Sequence, residues 1–264
     1  MKPRFASIMR PVLALVAGMT LAAAPARAVE PAVLAEARAT AYAAQYDSVE
    51  ALVAAHEQLA ALSAANPDSP LLHYWVAYSD YRLIPRMMMR DKKQADRYCD
   101  DGVKHMDQAI AADPKNAEYI ALKSGVMGLS IMVAPMRGMT VGNEIGDLQN
   151  QARALAPDNP RVALMEGINT MNKPGFVGGG AKKALPQLER AIALFAKAAP
   201  SDSTAIDWGY DDAYTWAGRA AAKLDKPAEA RGYYQKALEI NPQNGWVRYG
   251  LLPALDKAEK KEKS

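Results

Sequence analysis

The sequence predicts an all-α protein: a right-handed helix-hairpin solenoid of about five hairpins, closed by a C-terminal capping helix. Three observations carry this expectation. A short polar cluster centred on proline recurs five times, at Pro67, Pro114, Pro157, Pro200 and Pro242, in steps of 47, 43, 43 and 42 residues. A nearly fixed period of that size marks a stacked array in which each unit packs on its neighbours. Helical periodicity runs through nearly all of the chain, rich in alanine, leucine and lysine, and no segment shows the alternation of a half-buried strand.

Each proline cluster reads as the end of one helix and the start of the next. Proline cannot continue the first helix, and two residues later Ser69, Asn116, Asn159, Asp202 or Asn244 can cap the second. Helices are expected over 31–46, 48–65, 70–84, 91–112, 117–135, 141–156, 160–171, 181–198, 211–224, 227–240 and 245–260. Asp47-Ser48-Val49-Glu50 reads as a capping box opening the second of these. The last helix, 245–260, with the polar tail 261–264, would cover the open end of the stack.

The first 28 residues read as a secretory signal and residues 29–264 as one helical domain. Lys2, Arg4 and Arg10 precede an apolar stretch from Pro11 to Ala24, and Ala26-Arg27-Ala28 is an A-x-A cleavage site, placing the cut after Ala28. The apolar stretch is too short to cross a hydrocarbon core of about 30 Å. A periplasmic location is therefore expected. The net charge of +3 includes four bases of this segment, so residues 29–264 carry about −1, and nucleic acid is not an expected partner. Cys99 is the only cysteine, which excludes an intrachain disulfide.

Residues 211–244 carry a recognisable pattern. Tyr214 stands at a large position of the first helix, Gly218 at a close crossing, and Ala230, Tyr234 and Ala237 form a small–aromatic–small series in the second, ended by Pro242. This stretch resembles a tetratricopeptide repeat, a unit of about 34 residues. Ala109, Ala152, Gly125 and Gly167 extend the pattern more loosely through the earlier units. The resemblance implies a scaffold that binds a protein or peptide partner without catalysis. The Gly178-Gly179-Gly180 turn before an Ala-Lys helix also resembles periplasmic tetratricopeptide proteins associated with solute transporters. That second likeness implies the alternative, an accessory solute- or metal-binding protein.

Residue chemistry favours no enzyme, cofactor or metal site. His56, His73 and His105 fall on three expected helices without ligand spacing. The stretch from Lys173 to Lys182 lacks the Gly-Lys-Ser/Thr ending and the preceding strand of a phosphate loop. Methionine is dense enough to raise copper(I), but it equally fills helical cores and adaptable surfaces, and no histidine spacing accompanies it.

Two surfaces are expected to bind. In such an array the turns within hairpins share one edge, and here they hold Arg86, Met87, Met88, Met89, Arg90, Met136, Arg137, Met139, Lys173, Phe176 and Val177. Apolar residues in turns, where polar ones normally dominate, suit an adaptable contact with a protein; an anionic membrane surface is a further chemistry they fit, although a membrane is not an expected partner. The second surface is the concave groove, lined by first helices, with Tyr74, Tyr78, Arg82, Tyr119, Arg161 and Arg219. Tyrosine with arginine suits a peptide, and the same spacing also describes a packed helix face.

Overall fold

A computed structural model of the protein describes residues 29–198 and 202–262. The expected signal segment, its cleavage site, the proline at 200 and the last two residues lie outside the described residues. The described residues form eleven α-helices: α1 Pro31–Ala44, α2 Val49–Ala65, α3 Pro70–Met87, α4 Lys92–Ala112, α5 Ala117–Val133, α6 Gly138–Leu155, α7 Pro160–Asn172, α8 Ala181–Phe195, α9 Tyr210–Lys223, α10 Pro227–Ile240 and α11 Leu252–Glu262. They pair in sequence into five hairpins, α1/α2 through α9/α10, and the first helices α1, α3, α5, α7 and α9 stand side by side. A π turn over Val247–Leu251 and α11 pack on α10 and close the array.

The polar clusters cap the helices they precede. Ser69 accepts from the Leu72 N–H, Asn116 from Glu118, Asn159 from Arg161 and Val162, and Asn244 from Val247. Each satisfies a backbone donor that has no partner within its own helix. Ser48 caps α2 through the Ala51 N–H, while Asp47 accepts from the Ser48 N–H, so the cap lies one residue later than the expected box. Asp202 differs in kind: it accepts from Thr204 and Ala205 and closes a local turn, and α9 begins eight residues further on.

Other boundaries shift for local reasons. Helix α5 stops at Val133, because Pro135 opens a separate 3-10 turn, Pro135–Arg137, from which α6 starts at once. Helix α3 carries Pro85 into its last turn and reaches Met87, taking Arg86 and Met87 out of the expected turn. The last helix extends to Glu262, into the expected polar tail.

The glycines of the first helices mark close crossings. A Cβ on Gly218 would stand 2.4 Å from Tyr234 Cε1 and 3.2 Å from the Ala230 carbonyl oxygen, and one on Gly167 would stand 2.6 Å from Leu188 Cδ2. In both hairpins the glycine lets the second helix approach closely. Ala230 and Ala237 are fully buried beside Tyr234 in the closing unit. Replacing Ala230 with leucine forces three carbons into this crossing, and overpacking of that kind costs about 1–3 kcal/mol. A thermal melt of Ala230→Leu is expected to show that loss, and an unchanged melt would contradict the packing register.

Candidate functional site

The inner face of the array is filled by the protein's own chain. The α8–α9 connector turns inward and inserts Trp208, which is 5% exposed. Its indole N–H donates to Tyr74 Oη at 2.8 Å, and its ring packs against Tyr78 and Tyr81 at 4.9 and 6.4 Å between centroids. The Arg82 guanidinium lies 5.5 Å from the indole centroid and 5.0 Å from that of Tyr78. Gly209 follows in a left-handed conformation, φ 111°; a Cβ there would meet Leu164 and Phe195 at 2.9 Å each. Only glycine fits that turn and that space.

Charged pairs fasten this connector on both sides. Asp207 binds Arg38 and Tyr42 of α1, and Arg82 of α3 forms a two-pronged ion pair with Asp212 of α9. Tyr46 donates to Asp211 at 2.8 Å, and Asn241 and Asn244 donate to the same carboxylate oxygen. Arg161 of α7 pairs with Glu118 of α5 at 2.7 Å and donates to the Trp208 carbonyl at 3.3 Å. The tyrosines and arginines expected to line a groove are therefore gathered, but around an internal occupant. Tyr74, Tyr78 and Tyr119 are buried, and Arg82 and Arg161 are half-buried in ion pairs.

Arg219 of α9 stands at the edge of that group, its charge acting on Tyr81. It sits at the closing end, its guanidinium 4.2 Å from the Trp216 centroid and 4.8 Å from that of Trp246. Burial lowers its pKa. Trp246 remains exposed in this stack, and Ile240 and Tyr249 are exposed elsewhere, in the last turn of α10 and in the π turn.

The hairpin-turn edge has two kinds of residue. Arg86 donates to the carbonyls of Gln45 and Asp47, Arg90 pairs with Glu50, and Arg137 pairs with Asp96 and Asp100, so these arginines stitch neighbouring turns together. Met87 and Met88 pack partly against the core. Met89, Met136, Met139 and Phe176 instead stand 92, 74, 81 and 92% exposed, with Val177 and Lys173 beside Phe176.

All three histidines meet in one seam between α2, α3 and α4, a grouping that sequence spacing does not reveal. His73 Nε2 lies 2.8 Å from the Pro67 carbonyl, which can only accept, so Nδ1 of the neutral ring is an acceptor. That Nδ1 lies 2.9 Å from both Ser63 Oγ and His105 Nδ1. His56 Nδ1 lies 2.9 Å from Ser79 Oγ and 3.2 Å from Asp80 Oδ1. Burial raises the Asp80 carboxyl well above its usual range, and burial lowers His56, so both groups favour their uncharged forms. Cys99, buried in α4, is pushed up to about 12 by burial. Among the described residues no group of three or more His, Cys, Asp or Glu side chains is arranged to hold a metal ion.

Clefts open on the surface of the described residues. One, of about 400 Å³, lies between the α1/α2 turn and the closing end, lined by Tyr46, Asp47, Gln243, Arg248 and Tyr249 among others. Another, of about 390 Å³, includes Lys115, Glu118, Asn159, Arg161 and Ile206. No helix among the described residues is long and apolar enough to cross a membrane.

With five helix hairpins, no strand among the described residues and a glycine–tyrosine crossing in the closing unit, the chain is a divergent tetratricopeptide-like helical solenoid. Residues 211–244 match the tetratricopeptide repeat family model. Two solved structures share the fold. The HusA haemophore from Porphyromonas gingivalis is 21% identical, with a TM-score of 0.60 over 76% of this chain and 96% of that one. TTC0263, a thermophilic tetratricopeptide protein of Thermus thermophilus, is 17% identical, with a TM-score of 0.61 over 86% of this chain and 99% of that one. No curated protein matches the sequence.

Two outcomes follow from this geometry. Trp208→Ala removes a fully seated indole and is expected to cost about 3–5 kcal/mol in chemical denaturation; a variant as stable as the parent would mean the connector is not seated. The seam should sense acid. His105 is pushed down to about 4, by burial first and by the neighbouring His73 and His56 next. In the unfolded chain a histidine titrates near 6.5. Its contribution is thus present above about pH 6.5 and lost as pH falls towards 4, and His56 acts in the same direction. Asp80, raised by burial, opposes this as pH falls. Melting temperatures compared at neutrality and at about pH 5 should fall more for the parent than for His105→Gln; equal falls would show that His105 does not titrate in this way.

Proposed function

We propose that the protein is an exported, non-catalytic scaffold that meets a protein or peptide partner with its outer surface rather than its inner face. One observation carries this reading: Trp208, held by Tyr74, Tyr78, Tyr81 and Arg82, occupies the space a peptide would use. The tetratricopeptide-like fold supports the scaffold role, since such repeats generally mediate protein–protein contacts and typically carry no catalysis. Export rests on the basic start, the apolar stretch and the A-x-A site of residues 1–28.

The partner contact falls best at the closing end. Tryptophan, tyrosine and arginine dominate the energetics of protein interfaces, and here the closing units hold the Arg219–Trp216–Trp246 stack and expose Tyr249 and Ile240. The alternative, an accessory solute-binding protein, calls for an enclosed and largely apolar pocket. The HusA haemophore shares the fold, but the clefts described here are open and edged by charged side chains.

A photo-crosslinking residue placed at Tyr249, or at Ile206 on the mouth of the inner face, tests the reading in exported protein whose N-terminus is sequenced. Adducts to a protein from position 249 and none from 206, on a chain beginning at Val29, are expected. Adducts confined to 206 would return the inner face to service, and an intact Met1 chain would remove the export.

A further inference from the structure

We propose that the hairpin-turn edge built by the α3/α4, α5/α6 and α7/α8 turns docks on an anionic phospholipid surface. This goes beyond the partner reading and does not depend on it, because it assigns a different surface to a different class of partner.

The apolar part of the edge consists of separate projecting tips. Met89 belongs to the first turn, Met136 to the second with Met139 at the start of α6, Phe176 and Val177 to the third, and Phe176 is as exposed as Met89. A protein groove grips side chains that line a concavity. Single apolar tips that project from successive turns suit insertion into the boundary between headgroups and acyl chains.

Phe176 is held out by construction. In its loop the Gly179 N–H donates to the Pro174 carbonyl at 3.1 Å, and the Gly180 N–H donates to the Thr170 carbonyl at 2.8 Å. Gly178 and Gly180 adopt φ of 90° and 100°, and a Cβ on Gly179 would stand 2.0 Å from the Lys173 carbonyl oxygen. Three glycines thus close a tight loop whose outermost side chain is an aromatic ring.

Charge completes the match. Lys92 and Lys93 open α4, Lys182 and Lys183 open α8, and Lys173 precedes Phe176; none of the five has an acidic partner among the described residues. Cations at a helix N-terminus oppose the helix dipole, and neither α4 nor α8 has an acid in its first turn to offset them. The nearby acids are already engaged: Asp91 caps α4, Glu50 holds Arg90, and Asp96 and Asp100 hold Arg137. The opposite edge, where hairpins join, carries Asp68, Asp113, Asp158 and Asp202. Lys115 and Arg190 stand among these acids, and Arg190 pairs with Asp158, so the cluster of unpaired cations that would attract an anionic surface lies on the hairpin-turn edge. Clustered lysines beside apolar tips are the make-up that anionic headgroups recognise.

Co-sedimentation of the purified protein with vesicles tests this directly, since no protein partner is present. Binding is expected to vesicles of equal parts phosphatidylcholine and phosphatidylglycerol, and not to phosphatidylcholine alone. Two double variants, Met139→Ser with Phe176→Ser and Lys182→Gln with Lys183→Gln, should each weaken binding at least about tenfold. Both alter exposed side chains, so their melting temperatures should match the parent and a loss of binding cannot be ascribed to unfolding. Lys257→Gln with Lys260→Gln, on α11, should bind as the parent does. Absence of binding to the anionic vesicles overturns the proposal. Full binding by both edge variants overturns it equally, leaving the edge free for a protein.

Discussion

Everything in this structure leans on Trp208. In a helical array each unit touches its neighbours, so stability normally adds up along one dimension. The Trp208 connector and the start of α9 break that rule by joining residues 130 to 169 positions apart: Arg38 and Tyr42 to Asp207, Tyr74 to Trp208, Arg82 to Asp212. The first two hairpins and the last are thereby tied across the inner face, and the core runs through the middle of the array. The indole supplies the apolar area, and its polar atom is satisfied by Tyr74 Oη, so its burial carries no orphaned donor.

The ion pairs around it have a different role. Arg82 is half-buried and Asp212 is buried, and taking such charges from water costs more than a surface pair returns. Their gain is one of geometry: a guanidinium gripped by two carboxylate oxygens and laid against Tyr78 and Trp208 allows one placement of the connector. Loss of either partner leaves the other charge stranded. The inner face is therefore an unpromising place for an exchangeable ligand, which moves attention to the outside of the solenoid.

What could be read from the sequence divides by distance along the chain. The proline period, the caps at Ser69, Asn116, Asn159 and Asn244, and the Gly218–Tyr234 crossing arise within one or two helices, and local pattern reveals them. The tyrosine–arginine face of α3 was also visible, but its spacing describes equally a groove wall and a core wall. The deciding contact comes from 134 residues away. One signal pointed to it: the expected helices 181–198 and 211–224 leave a joint of twelve residues, longer than the other joints between hairpins, and it holds a tryptophan and a glycine. The histidine seam was hidden for the same reason, because His56, His73 and His105 become neighbours only when α2, α3 and α4 pack together.

A filled inner face changes what the repeats are for. Once Trp208 takes the concave space, each hairpin presents its turn and its outer helix, and the array offers two unlike surfaces at fixed separation. Along the edge the arginines are spent on neighbouring turns while the lysines are left free, a division that follows from chemistry: a planar guanidinium grips backbone carbonyls and carboxylates at fixed angles, whereas an ammonium on a flexible stem serves as a mobile point charge. At the closing end the arginine is again the ordered group, held between Trp216 and Trp246, and the tyrosine beyond it is exposed. The same connector that closes the groove also holds these two surfaces in one body, since it binds α1 and α3 on one side and leads directly into α9 on the other.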